Sequence, residues 1–211
     1  SIITPVRAGH CYNDTLNAFQ QNLEQLEVTT VDLTLIHSPP CVLNATWSDG
    51  KCYWPDQPDA VYPQQCNCAA AEPCAMMQQQ WRALELMYRQ GKTKAIGVSN
   101  FCKACLVCLS KTSTVIPAVN QLQFHVGMGG VDSHDSLVAY NTGRGTVVQA
   151  YSPLGGDDHA TILGDNTLKE IGAAHNKSTA QIALKWLLQQ GFPLTTSTTK
   201  QSYVVVVVVV G

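Results

Sequence analysis

Charge is scarce in this chain: 13% of its 211 residues are Asp, Glu, Lys or Arg, and the formal net charge is −2. So weak and mixed a charge removes the usual reason to expect nucleic acid or an anionic membrane as partner. Long hydrophobic runs are missing too. Nothing before residue 203 is long enough to span a bilayer, and no early stretch reads as a signal or transit peptide. The chain opens on Ser1 rather than Met, which leaves room for a leader removed upstream. No glycine-rich dinucleotide fingerprint follows any strand-like run, which argues against a doubly wound nucleotide-binding sheet. Global disorder is excluded by the 45% hydrophobic content, and the length suits one sizeable core.

Cysteine, by contrast, is abundant. Five of the nine (Cys41, Cys52, Cys66, Cys68, Cys74) fall in residues 41–74 beside Pro55, Pro58, Pro63 and Pro73. That stretch has neither helical nor alternating period, so it reads as a long loop needing a staple. Disulfides are the favoured staple, with free thiols next. A zinc knot fits worst, because Cys66-Asn-Cys68 and then Cys74 match no common zinc spacing. The sequons at Asn13, Asn44 and Asn176 are compatible with glycosylation, and an oxidising compartment such as the secretory pathway is favoured over cytoplasm. Cys102, Cys105 and Cys108 repeat every third residue among Leu106, Val107 and Leu109, which suits buried small side chains on one helix face better than an iron–sulfur cluster. Seven valines, Val204 to Val210, precede Gly211; this run is read as a stand-in for unidentified residues and given no function.

The remaining order is regular. A helix capped by Asp14 or Thr15 runs through Leu16, Phe19, Leu23 and Leu26. A strand over Val31–His37 follows, stopped by Ser38-Pro39-Pro40. The next helix, 74–90, puts Met77, Trp81, Leu84 and Tyr88 on one face and ends at Gly91. Strands 95–100, 117–124 and 145–152 then alternate with helices 102–110, 133–141, 166–174 and 179–190, and Gly191–Thr196 opens one more strand. Apolar strands alternating with helices imply a parallel sheet covered on its outer face, and an α/β barrel of the (β/α)8 type is expected. Counting Ile2-Ile3, about six of eight strands are present, so two barrel edges lack partners within these 211 residues.

Parallel strands carry their C-terminal ends to one rim. There the sequence places His37, then Ser99-Asn100, Asn120-Gln121 with His125 beyond, Tyr151-Ser152, and Thr195 to Thr199. Asn and Gln can both donate to and accept from a carboxamide. A tyrosine offers a flat surface for an aromatic ring. Gly155, Gly156 and the Ser/Thr-rich stretch with Lys200 can receive phosphate oxygens. Together they describe a nicotinamide nucleotide lying across a barrel mouth. No strand end supplies the paired carboxylates of a glycoside hydrolase. The six histidines are scattered and make no metal site; His10, His134, His159 and His175 read as solvent-facing, and His125 is open between pocket lining and packing. Trp47 and Trp54 either line a substrate pocket or form the small core of the cysteine loop.

With these residues in view, the chain resembles the aldo-keto reductases. Val31-Asp-Leu-Thr-Leu-Ile-His-Ser-Pro, Gly91-Lys-Thr-Lys-Ala-Ile-Gly-Val-Ser-Asn-Phe, Pro117-Ala-Val-Asn-Gln and Gln149-Ala-Tyr-Ser-Pro-Leu-Gly stand in that family's order. Asn176-Lys-Ser-Thr-Ala-Gln-Ile-Ala-Leu-Lys-Trp186 looks like its penultimate helix. The resemblance implies one barrel over residues 1–203, with 41–74 as an insertion and 204–211 as a tail. It implies NADP as cofactor, with NAD as the other possibility, its reduced form passing a hydride to a small aldehyde or ketone. His37 would be the catalytic histidine that orients the carbonyl. Ser99, Asn100 and Gln121 would hold the carboxamide, and Tyr151 would stack on the nicotinamide. Ser152, Leu154 and Asp158 would cover the pyrophosphate, with Ser197, Thr198 and Lys200 near the adenosine phosphate.

Two departures stand out. The family's tyrosine proton donor, with its aspartate and lysine, lies on segments before this chain's first helix, and Tyr12 lacks that motif context. Where many members place a lysine against the 2′-phosphate, this chain has Ser197, which gives up a charge-assisted contact. The rival reading is a non-catalytic barrel that uses the cysteine loop to dock a protein partner.

Overall fold

The structure, a computed structural model, describes residues 2–3, 11–39, 71–128, 135–156 and 159–197. Most of the cysteine-rich insertion, with Trp47 and Trp54, lies outside the described residues, as do His10, His134, Asp158, Thr198, Lys200 and the valine run. Strands and helices alternate as β1 (Ile2–Ile3), α1 (Cys11–Gln25), β2 (Val31–Ile36), α2 (Ala71–Arg89), β3 (Thr93–Ser99) and α3 (Lys103–Ser110). They continue as β4 (Val119–Gln123), α4 (Asp135–Thr142), β5 (Val147–Tyr151), α5 (His159–Gly164), α6 (Asn166–Ala174) and α7 (Thr179–Gln189). Sheet order follows chain order, β1-β2-β3-β4-β5. Strand β2 is parallel to β1, with Ile2 opposite Leu35, and to β3, with Val31 opposite Thr93 and Ile36 opposite Val98. A parallel bridge between Ala150 and Leu194 stands where the further strand was expected. Among the described residues no helix is long and apolar enough to cross a membrane.

Two compact units divide the chain: Ser1–Asn120 with Ser136–Val147, and Gln121–Asp135 with Val148–Gly211. In the first, α2 is the central helix and packs on α1, α3 and β3. Its Met77, Trp81 and Leu84 are buried as the spacing required, each side chain of this kind contributing roughly 1.5–3 kcal/mol. Tyr88 departs from that face and is 40% exposed, because it sits in the last turn before the stop. The stop itself is a Schellman closure: Lys92 N–H donates to Met87 O (2.9 Å) and Gly91 N–H to Tyr88 O (3.0 Å), with Gly91 at φ +70°.

Helix α1 corrects the sequence reading of its start. It begins at Cys11, so Asp14 and Thr15 lie inside it rather than capping it. The Thr15 hydroxyl donates back to the Cys11 carbonyl (2.6 Å), and the buried stripe is Cys11, Thr15, Phe19 and Leu23 at a spacing of four. Leu26 falls past the helix end and is 55% exposed.

A second correction concerns Cys108, which is not a plain buried hydrophobe. It is disulfide-bonded to Cys74, tying α3 to α2 across 34 residues of chain. Closing a loop of that length stabilises a fold by about 3–4 kcal/mol in the chain-entropy picture. Cys105 is disulfide-bonded as well.

The loop entering β4 is clamped from α2. One oxygen of the buried Glu85 carboxylate accepts from Thr114 N–H (2.6 Å), Thr114 Oγ1 (3.0 Å) and Val115 N–H (2.9 Å). Trp81 Nε1 donates to Val115 O at 3.1 Å. Glu85→Ala is expected to cost about 3 kcal/mol, since it strands several buried partners at once. The readout is the urea midpoint, and Glu85→Gln, which keeps an acceptor oxygen, should recover part of the loss. The exposed pair Lys94–Asp32 (2.6 Å), across β3 and β2, is a contrasting case. Its hydrogen bond, then its charge, holds the Asp32 carboxyl below the usual carboxylate range. A depressed carboxylate contributes stability above its unfolded pKa and loses it as pH falls through the folded one. Exposure and salt screening make the contribution small, so Asp32→Asn should leave the thermal midpoint unchanged at physiological salt.

In the second unit, Asp165 caps α6 by accepting from Leu168 N–H (2.8 Å), and Ser178 with Gln181 forms a reciprocal capping box on α7. Asn176, at φ +52°, makes the turn between them. Ile162, Leu168 and Ala183 form one buried core cluster here, packed by Val126, Leu154 and Ile182. The short helix α5, which supplies Ile162, was not anticipated from sequence.

Candidate functional site

In the first unit the polar tip expected after β3 is built by a turn. Asn100 takes φ +60°, a left-handed conformation that asparagine tolerates better than most residues. Its side-chain amide donates to the His37 carbonyl oxygen at 2.9 Å and to Ser99 Oγ at 3.2 Å. The ends of β2 and β3 are thus stitched together by a side chain. Ser99 is buried, Asn100 half-buried, and the His37 side chain exposed just past β2.

Asn120, on β4, was placed at the rim by the sequence without a role of its own. The structure gives it one. It is fully buried, and its side-chain amide pairs with the backbone of Phe101, donating to Phe101 O (2.9 Å) and accepting from Phe101 N–H (3.4 Å). It also donates to Asn141 Oδ1 (3.3 Å), and Asn141 donates onward to Leu137 O (2.8 Å). Asn120 therefore positions the segment directly after Asn100.

The second unit holds the other candidates. Gln121 Nε2 donates to Gln149 Oε1 at 2.7 Å, a partner that no sequence signal distinguished. Tyr151, half-buried at the end of β5, accepts from Phe124 N–H (3.2 Å) through its carbonyl. Beyond it the chain turns tightly: Ser152, Gly155 and Gly156 have φ of +49°, +92° and +58°, and Gly155 N–H donates to Ser152 O at 2.9 Å. A Cβ on Gly156 would stand 3.3 Å from Ser152 Oγ. Successive backbone amides in such turns form anion-receiving concavities. Leu154 secures this turn by packing on the Ile162–Leu168–Ala183 core. Ser197 is exposed; Asp158, Thr198 and Lys200 lie outside the described residues.

The histidines divide. His125 Nδ1 accepts from Gly127 N–H (3.2 Å) in a local turn, and His159, exposed as expected, approaches Gly156 O with Nδ1 at 3.0 Å. His175 is exposed and borders a cleft of about 420 Å³ beside α6 and α7, together with Ile182, Trp186 and Lys177. That cleft includes none of the expected site residues. Among the described residues no group of three His, Cys, Asp or Glu side chains could hold a metal ion.

Comparison with known proteins decides the family. A family model described as "Aldo/keto reductase family" matches residues 2–211. The chain belongs to that family. It is 35% identical over 180 residues to the glyoxal reductase of Bacillus subtilis, covering 85% of this chain and 51% of that protein. It is 32% identical over 180 residues to the 9,11-endoperoxide prostaglandin H2 reductase of Trypanosoma cruzi, covering 85% and 50%. The crystal structure of an aldo/keto reductase from Brucella melitensis superposes with a TM-score of 0.75 at 28% identity, over 99% of this chain and 65% of that one. The fold is therefore that of an aldo-keto reductase (β/α)8 barrel, in part. This family member spans about half the length of the curated relatives it matches.

Proposed function

We propose that this aldo-keto reductase chain belongs to an enzyme that reduces a small aldehyde or ketone to an alcohol with NADPH or NADH. The observation that carries the reading is the Asn100–His37–Ser99 cluster, a hydrogen-bonded polar tip on otherwise apolar strands. Its chemistry fits a carboxamide, because Asn and Ser side chains offer both donor and acceptor. The Ser152–Gly156 turn fits a diphosphate, because its backbone turns three times through positive φ and a side chain on Gly156 would crowd it. When bound, the nicotinamide supplies the hydride. Around it, Ser99, Asn100 and Gln121 would fix the carboxamide, and Tyr151 would cover the ring. Ser152 and Leu154, with Asp158, would close over the phosphates, and His37 would orient the carbonyl oxygen. The protein would work in an oxidising compartment, a reading supported by the Cys74–Cys108 disulfide.

Titration of the protein with NADPH and with NADH, followed by nicotinamide fluorescence, tests the cofactor assignment. Saturable binding of at least one is expected; no binding of either would sink it. Discrimination between the two should be weak, because Ser197 lacks the charge to engage a 2′-phosphate. Ser197→Lys is expected to tighten NADPH about tenfold and leave NADH unchanged, the worth of one charge-assisted contact.

A further inference from the structure

We propose that the cleft beside α6 and α7 binds a small aromatic carboxylate, at a site sharing no residue with the proposed cofactor site. Its lining runs from Ile171 to Gln189, all within the second unit. Its volume of about 420 Å³ falls in the range of small-molecule sites. The lining is of two kinds. Ile171, Ile182 and Trp186 supply apolar surface, and Ile171 is a large side chain left 40% exposed. Lys177 and Lys185 bring positive charge, and no Asp or Glu is among the lining residues. Positive charge beside a flat indole selects a planar anion over a neutral or cationic ligand.

Three of these residues are held in place before any ligand arrives. Lys177 N–H donates to Gly172 O at 2.8 Å, and Asn176 turns the chain at φ +52°. A Cβ on Gly172 would stand 2.5 Å from Lys177 O, so glycine is what lets this turn close so tightly. Gln181 is fixed by the capping box: its Oε1 accepts from Ser178 N–H at 2.8 Å, which leaves Nε2 to donate to an anion. Trp186 packs against Phe124, ring centroids 6.0 Å apart, and Phe124 packs in turn on Phe192 at 4.9 Å. The ligand's ring would lie on Trp186 and Ile182, with its carboxylate toward Lys177 and Gln181 Nε2. Fixed donors of this kind spare a ligand the cost of ordering its own site.

The test is isothermal titration calorimetry of the whole chain with naphthoate, run with and without NADPH. Naphthamide, the neutral counterpart of the probe, is the control. Saturable binding of naphthoate is expected, unchanged by NADPH, and about tenfold tighter than naphthamide, the worth of one charge-assisted contact. Lys177→Gln should weaken it about fivefold, as befits an exposed charge. Ile171→Glu, which sets a carboxylate in the wall at an exposed helical position, should abolish it. Circular dichroism of both variants separates these losses from misfolding. No binding of naphthoate, or binding that neither substitution weakens, would overturn the proposal. So would displacement of the probe by NADPH, or equal affinity for naphthamide.

Discussion

Gly97→Ala is expected to lower stability by about 3 kcal/mol or more, roughly 10 °C in Tm for a chain of this size. Gly97 sits mid-strand in β3, where glycine has no propensity advantage, so its presence needs a packing reason. The reason is on both sides. A Cβ at this position would stand 2.6 Å from the backbone oxygen of Val119 on β4 and 2.7 Å from Cδ2 of Leu35 on β2. Leu35 can change rotamer, but a carbonyl in the neighbouring strand cannot move without shifting that strand. Ser99 lies two residues on, so a displaced β3 also moves the polar tip. Thermal and urea unfolding of the variant provide the measurement. A midpoint within about 2 °C of the parent, well below what overpacking costs, would mean that β2 and β4 do not flank this residue so closely.

Much of this architecture was legible because its signals are local. Helix α6 has the limits the sequence suggested, Asn166–Ala174, since Asp165 before it and the Asn176 turn after it act within a few residues. Strand β3 was legible from its apolar run and from Gly91, which ends α2 by backbone geometry alone. What was missed depends on residues far apart in sequence. Cys108 reads as a helix-face hydrophobe until Cys74, 34 residues earlier, is brought beside it. Gln149 becomes the partner of Gln121 only once β4 and β5 are set in register. The start of α1 was misread for another reason: Asp14 and Thr15 are good caps, but Thr15 satisfies its hydroxyl within the helix, so the helix could begin a turn earlier.

The same limit of local reading conceals Asn120, whose removal is expected to have the broadest consequence for the site. Asn120→Ala deletes the paired contact to the Phe101 backbone and the link to Asn141, leaving a buried N–H, a buried carbonyl and a buried amide oxygen without this partner. At about 1–3 kcal/mol for each buried group left unsatisfied, partly relieved by water entry, a loss of about 3 kcal/mol is expected. Asn120→Asp is no rescue: it keeps an acceptor for Phe101 N–H, loses the donor to Phe101 O, and buries a charge. Phe101 follows Asn100 directly, and Asn100 must hold its left-handed turn while donating to the His37 carbonyl. Loosening Phe101 therefore loosens the carboxamide-binding tip proposed above. Working below the lowered Tm, NADPH titration of Asn120→Ala should show the dissociation constant raised about tenfold, equivalent to one hydrogen bond's worth of preorganisation. A folded variant that binds as tightly as the parent would assign Asn120 to stability alone. A parallel loss of stability and affinity would make Asn120 a positioning residue, holding Phe101 and so the residues proposed to bind the cofactor in register.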